Sequence, residues 1–243
     1  MIPWFLWNGV DSRQMGLVIS TPPRQIPQER VETITIPGRP GALIRTEGEA
    51  IYEPYVLTIR VGNRREASLA AILSWLRGSG QLVLSTEPDR VYEARLINAG
   101  ELNRVFSGVM QGDLQFFCQP LRGQYPPEPA VTVTPSVSVT ELVIHNPGDA
   151  PARSVYTATG IGDVVFTMDT APAFEVVFPD DPGGTVTVDT DAGQALTAAG
   201  DNFANHVSGT YAGLWIPRGT HTISWSGEGT LSSLSVLPRW RWV

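Results

Sequence analysis

"TITIPGRPGALI", residues 33–44, sets two folds against each other. A β-like run stops at Ile36, and Pro37, Gly38, Arg39, Pro40 and Gly41 follow. A glycine-rich loop after a strand cradles phosphate when it opens a helix and brings a lysine and a hydroxyl. That reading leads to a phosphate-binding enzyme. In the other reading the loop is a tight turn between strands, with glycine supplying positive φ, and the protein is mainly β. The segment after Gly41, "ALIRTEGEAIY", has no helical stripe and no Gly-Lys-Ser/Thr. The residues therefore favour the turn.

Composition points the same way. The chain has no lysine, and all 17 basic residues are arginine. A Walker A lysine, a Schiff-base lysine and a lysine general base are thereby excluded. Gly 24 and Pro 20 in 243 residues suit many short strands joined by turns. An apolar content of 42% is enough for packed cores, and the length suits two domains. Cys118 stands alone, so no internal disulfide framework exists. The start, "MIPWFLWNGVDS", lacks a basic n-region and a cleavage site, and no run of 18 apolar residues occurs. The expectation is a soluble protein that folds in the cytoplasm where it is made.

Charge divides unevenly. Residues 1–125 hold 13 Arg against 12 Asp+Glu, a balance of +1, and residues 126–243 hold 4 Arg against 12 Asp+Glu, a balance of −8. Such a second half is a poor surface for phosphate, so no nucleic-acid reading is expected.

The first half reads as strands with one helix. In "YVLTIRV", Tyr55, Leu57, Ile59 and Val61 alternate with Val56, Thr58 and Arg60, as in a half-buried strand. Leu69, Ile72, Leu73 and Leu76 then follow a helical stripe. The spacing predicts a helix from about Arg64 to Arg77, with Asn63 and Glu66 as a capping box and Gly78 as the stop. Two strands around a Glu87-Pro88-Asp89 turn come next. In "LQFFC", Leu114, Phe116 and Cys118 share a face, which makes Cys118 a buried, inert thiol. Five prolines between Gln119 and Ser136 mark a semi-rigid connection. The predicted domains are 1–125 and 126–243. The second is read as a β-sandwich of short strands with turn signals between them, among them "ARSVYTATG", "VVFTM", "GLWIPRG" and "LSSLSVLP".

Candidate chemistry is thin. "GIGD", residues 160–163, lacks the full dinucleotide fingerprint and reads as a β-turn. His145, His206 and His221 share no ligand spacing, and His221, alternating with Ile223 and Trp225, faces a core or its edge. "DTDAG", with Asp189 and Asp191, has its glycine fifth rather than sixth, so a solvated turn is favoured over a calcium loop. Asp180 and Asp181 are adjacent in a Pro-flanked turn and single out no hydrolytic pair. No catalytic, cofactor or metal residue is assigned. Trp215, Trp225, Trp240 and Trp242 crowd the end of the chain. Exposed aromatics on a sandwich stack on sugars or anchor proteins. Trp215, Trp240 and Trp242 are therefore the candidate glycan or protein contacts, with core packing the competing and favoured account.

Taken in order, these segments resemble the distal tail proteins of long-tailed bacteriophages, a siphovirus tail-component family. "FLWNGVDSRQMGLVIS" resembles the family's opening, and "ITIPGRPGALI" its Pro-Gly-Arg-x-Gly turn. "ILSWLRGSGQLVLSTEPDRVYEARL" is similar to its helix, glycine, strand and Pro-Asp-Arg-x-Tyr segment. "VIHNPGDAPARSVYTATGIGDVVFTM" and "LWIPRGTHTISWSGEGTLSSLSVLPRWRWV" resemble its second half. The family usually carries Asn where this chain has Thr220 or His221.

The resemblance implies a mainly β protein. The first domain would be a β-sandwich or split barrel with one α-helix, and the second a galectin-like or carbohydrate-module-like β-sandwich. It implies a non-enzymatic virion protein, assembled in the host cytoplasm, that forms a homo-hexameric ring at the tail tip. That ring would join the tail tube protein to the tip hub or baseplate and carry receptor-binding proteins. A carbohydrate-binding module contacting host glycans is the alternative.

Overall fold

The structure is a computed structural model and describes residues 2–38, 40–45, 51–63, 68–98, 103–106, 109–169, 171–179 and 183–243. It is mainly β, with one α-helix among the described residues. The chain forms two compact units, Met1–Pro126 with Val243, and Pro127–Trp242.

In the first unit the strands are β1 (Phe5–Trp7), β2 (Val10–Asp11), β3 (Leu17–Ile19), β4 (Glu32–Thr35), β5 (Ala42–Arg45), β6 (Tyr55–Asn63), β7 (Ser79–Leu84), β8 (Glu87–Asn98), β9 (Asn103–Phe106) and β10 (Val109–Gln124). The main sheet runs β2-β1-β7-β8-β10-β6-β3, with antiparallel neighbours, and β9 pairs with β10. Its inner face buries Leu57, Ile59 and Val61 of β6 against Leu114, Phe116 and Cys118 of β10, as the alternation predicts. Burial pushes the Cys118 thiol up to about 12, so it is inert at neutral pH.

Helix α1 spans Leu69–Trp75, shorter than the stripe predicts. Ser68 is its N-cap and accepts a hydrogen bond from the Ala71 amide. The expected cap over Asn63 and Glu66 falls in part outside the described residues. Ile72 and Leu76 enter the core, whereas Leu73 is exposed. Trp75 stacks on Phe5 with ring centroids 5.7 Å apart, and its indole N–H donates to the Trp7 carbonyl. Gly78, at φ 93°, follows the C-cap Leu76.

The turn expected at Glu87–Asp89 lies instead at Ser85 and Thr86, because Glu87 is already in β8 and paired with Leu84. Its carboxylate accepts from Arg122, whose side chain is buried, and from the Tyr92 hydroxyl. Burial disfavours the charged form of Glu87, but these donors outweigh it and hold its carboxyl below the usual range. The interior ion pair draws this end of β8 into the sheet, which residue-by-residue turn propensity does not register.

The second unit contains β11 (Val131–Val133), β12 (Glu141–Asn146), β13 (Val155–Met168), β14 (Phe174–Phe178), β15 (Gly184–Asp189), β16 (Gln194–Thr197), β17 (Val207–Ser208), β18 (Gly219–Ser226) and β19 (Thr230–Leu237). One set of strands runs β11-β19-β13-β15-β16, the other β12-β18-β13-β14-β17. Strand β13 belongs to both. Val155–Gly160 pairs with β15 and β19, and beyond it the strand passes to β14 and β18.

This corrects the β-turn expected at residues 160–163: Gly160 and Gly162 lie inside one long strand. Burial keeps its two-residue alternation on both sides, at Tyr156 and Ala158 and again at Val164, Phe166 and Met168. The strand bends without reversing. Gly162 takes φ 69°, and a Cβ on Gly160 would sit 2.8 Å from the Thr230 carbonyl. The "GLWIPRG" segment, residues 213–219, is not a strand of its own: it opens at the end of a 3₁₀ turn (Tyr211–Leu214), makes one isolated bridge from Ile216 to Ala152 and runs into β18 at Gly219, with Leu214 and Ile216 buried.

Candidate functional site

The residues nominated for chemistry are occupied by structure. Asp189 faces Arg239 through both carboxylate oxygens at 3.0 Å, and Asp191 faces Arg153 at 3.0 Å and Arg241 at 2.6 Å. Burial opposes the ionisation of both carboxyls, and the guanidinium groups outweigh it, holding each below the usual range. Among the described residues no group of His, Cys, Asp and Glu has the arrangement of a metal site. Asp180 and Asp181 lie outside the described residues. His145 bonds the Thr220 hydroxyl, and His206 stacks on Phe203. His221 sits at the core edge, with Nδ1 2.6 Å from Asp169 and Nε2 3.2 Å from the Arg218 carbonyl.

The three nominated tryptophans do not form an exposed platform. Trp240 is 5% exposed and packs in the second core. Arg153 covers the Trp215 ring at 4.4 Å, and the Trp215 N–H donates to the Thr190 carbonyl. Trp242 is half-buried against the same core. Burying indoles of this size contributes more than exposing them, and the arginines between them find carboxylates.

The feature that stands apart is the opening stretch. Among the described residues, strands β4 and β5 pair only with each other, in the register Glu32↔Arg45, Thr33↔Ile44, Ile34↔Leu43 and Thr35↔Ala42. Gly38 and Gly41, at φ 80° and 84°, make the turn. Every residue of both strands is exposed, including Ile44 at 70% and Leu43 at 42%. The flanking Ile26, Val31 and Ile51 are exposed as well. Where the hairpin joins the unit, Glu29 bridges Tyr52 and Arg30 pairs with Glu53. An isolated two-stranded hairpin is marginal in water, and one with apolar side chains on both faces gains stability only when another surface covers it. The sequence carried the signal: apolar residues at 34, 36, 43 and 44 fall on both alternations, which a strand with one buried face does not need.

A whole-chain comparison bears on this arrangement. The crystal structure of the phage SPP1 Dit protein, described as a paradigm of hub adsorption apparatus in Gram-positive infecting phages, superposes with a TM-score of 0.73 at 16% identity, covering 100% of both chains. The chain has the Dit fold. A chain of the phage P2 baseplate, in its activated conformation with Ca, matches at a TM-score of 0.54 and 10% identity, covering 98% of each chain. The same baseplate with Sr gives 0.53 and 10%, covering 97% of this chain and 98% of that one. No family model matches the sequence, and no curated protein aligns with it.

Proposed function

We propose that this chain is a structural virion protein of a phage tail tip, acting by geometry rather than catalysis. The observation that carries the reading is likeness to Dit over the full length of both chains. In this reading the chain closes into a six-membered ring, with residues 1–125 forming the ring and residues 126–243 projecting from it. The ring joins the tail tube to the tip hub or baseplate and offers a mount for receptor-binding proteins. Assembly takes place in the host cytoplasm. Cyclic closure needs a heterologous contact, one surface on each copy meeting a different surface on the next. The exposed hairpin supplies a surface of that kind, and a second copy of the chain is its occupant.

Negative-stain microscopy with light-scattering mass on the purified protein tests this. Six-fold rings, of about six times the 26.4 kDa chain mass, are expected, alone or on adding tube and hub proteins. Ile34→Asp with Ile44→Asp should leave the chain folded but monomeric. A monomer under all these conditions overturns the ring, and rings that survive the double substitution overturn the hairpin's part in it.

A further inference from the structure

On the reading proposed above, in which copies of the chain close into a ring, the hairpin is one mating surface and a different surface on the next copy receives it. The two faces of the hairpin differ. Ile34 pairs with Leu43 and Glu32 with Arg45, so these side chains share one face, and Ile36 continues its alternation. The other face carries Thr33, Thr35, Ala42 and Ile44. Branched apolar side chains cluster on the first face, whereas Ile44 stands among threonines and an alanine on the second. The first face therefore gains more by being covered.

The first unit has a sheet face that matches it. The inner face of β6, β10 and β8 is core, and the outer face is open. At the centre of the outer face Phe117 of β10 lies between Val56 of β6 and Arg95 of β8. Ile97 follows Arg95 on the same alternation. Val56, Phe117 and Ile97 are all exposed. The core is packed from the opposite alternation, so it does not call for an aromatic ring here. Farther along the same face Arg60 and Asp113 satisfy each other at 3.1 Å. Arg95 has no such partner: among the described residues, neither it nor Glu32 of the hairpin makes an ion pair.

We propose that the outer β6-β10-β8 face of one copy receives the Ile34–Leu43 face of the next copy's hairpin. Two β-layers pack about 10 Å apart with their side chains interdigitating, and a two-stranded hairpin is wide enough to lie over neighbouring strands. Phe117 is the anchor, covered by Ile34 and Leu43, as aromatic residues anchor interface centres. Glu32 stands two residues from Ile34 on the hairpin, and Arg95 stands beside Phe117 on the sheet. The same seating thus brings a carboxylate to a guanidinium, and this pair sets the register of hairpin on sheet. A second copy covers both bare surfaces at once, whereas an unrelated partner on the sheet face would leave the hairpin bare.

The test is disulfide trapping between full-length copies, with tube and hub proteins added where rings need them. Cys118 is buried and takes no part. A chain carrying Ile34→Cys is mixed with one carrying Val56→Cys and oxidised, and Leu43→Cys with Thr58→Cys serves as a second pair. Mixed dimers are expected from at least one pair, and none from Ile34→Cys with Val143→Cys, on the second unit's β12. Glu32→Arg in the hairpin-labelled chain, or Arg95→Glu in the sheet-labelled chain, should lower the trapped yield at least about fivefold, and the two together should restore it. Rings seen by microscopy without trapping at either pair overturn this seating and leave the ring standing. Trapping without six-fold rings supports the contact and overturns the ring. Trapping that ignores the charge substitutions, or is not restored by combining them, overturns the Glu32–Arg95 register. Neither rings nor trapping overturns both.

Discussion

His221 and Asp169 form the pair whose behaviour with pH is most open to measurement. Both ring nitrogens of His221 face acceptors, the Asp169 carboxylate and the Arg218 carbonyl, and only the doubly protonated imidazolium donates to both. The Asp169 hydrogen bond raises the His221 pKa above its ordinary 6.5. The same bond, with the Thr222 amide, lowers Asp169 below 3.8. A raised imidazole contributes stability that is complete below 6.5 and is lost as pH rises through the folded value. A lowered carboxyl contributes stability present above 3.8 and lost as pH falls through the folded value. The pair is therefore most stabilising between those two ordinary values. Because it lies near solvent, the contribution is at most about 1 kcal/mol. Melting of the wild type against Asp169→Asn should show its largest difference in that window and a shrinking one above it. A difference that does not vary with pH would remove the pair from the account. Alternation with Ile223 and Trp225 placed His221 facing a core or at its edge, but its carboxylate partner lies 52 residues away and the pairing of β13 with β18 brings them together.

At the scale of elements, β13 depends on its two glycines. Gly160 lies where a Cβ would meet the Thr230 carbonyl at 2.8 Å and the Phe178 ring at 3.2 Å. Gly160→Ala should cost roughly 1–3 kcal/mol through forced backbone movement. Ala158→Gly, two residues earlier on the same buried alternation, is the contrasting substitution, losing packing without a clash. Urea unfolding compares them, and a neutral Gly160→Ala would show that the strands part easily there. The element also marks where reading by local pattern reaches its limit. Strands at 55–63 and 114–118 were legible because each has one wet face and one dry face. The glycines at 160 and 162 looked like a turn because, taken locally, a bend and a reversal carry the same residues. What separates them is the unbroken alternation on either side and the partners waiting on both sheets.

For the whole molecule, each unit has its own buried cluster, centred on Trp7, Phe5 and Phe116 in one and on Phe174, Leu234 and Ile223 in the other. Residues 127–243, expressed alone, should therefore give a β-type circular dichroism spectrum and a cooperative melt. An unfolded fragment would show that its core needs the first unit. The amino-acid sequence by itself determined the mainly β class, the missing lysine chemistry, the turn at Gly38–Gly41 and the inert Cys118, because each follows from a residue's own conformational or chemical limits. Tertiary structure decided the rest. It buried Trp240, set Arg153 over Trp215, closed Arg122 on Glu87 and left the β4–β5 hairpin uncovered. Such outcomes depend on which distant segments meet. Strand propensity and burial pattern fix which face of a strand is dry, but not which strand lies beside it.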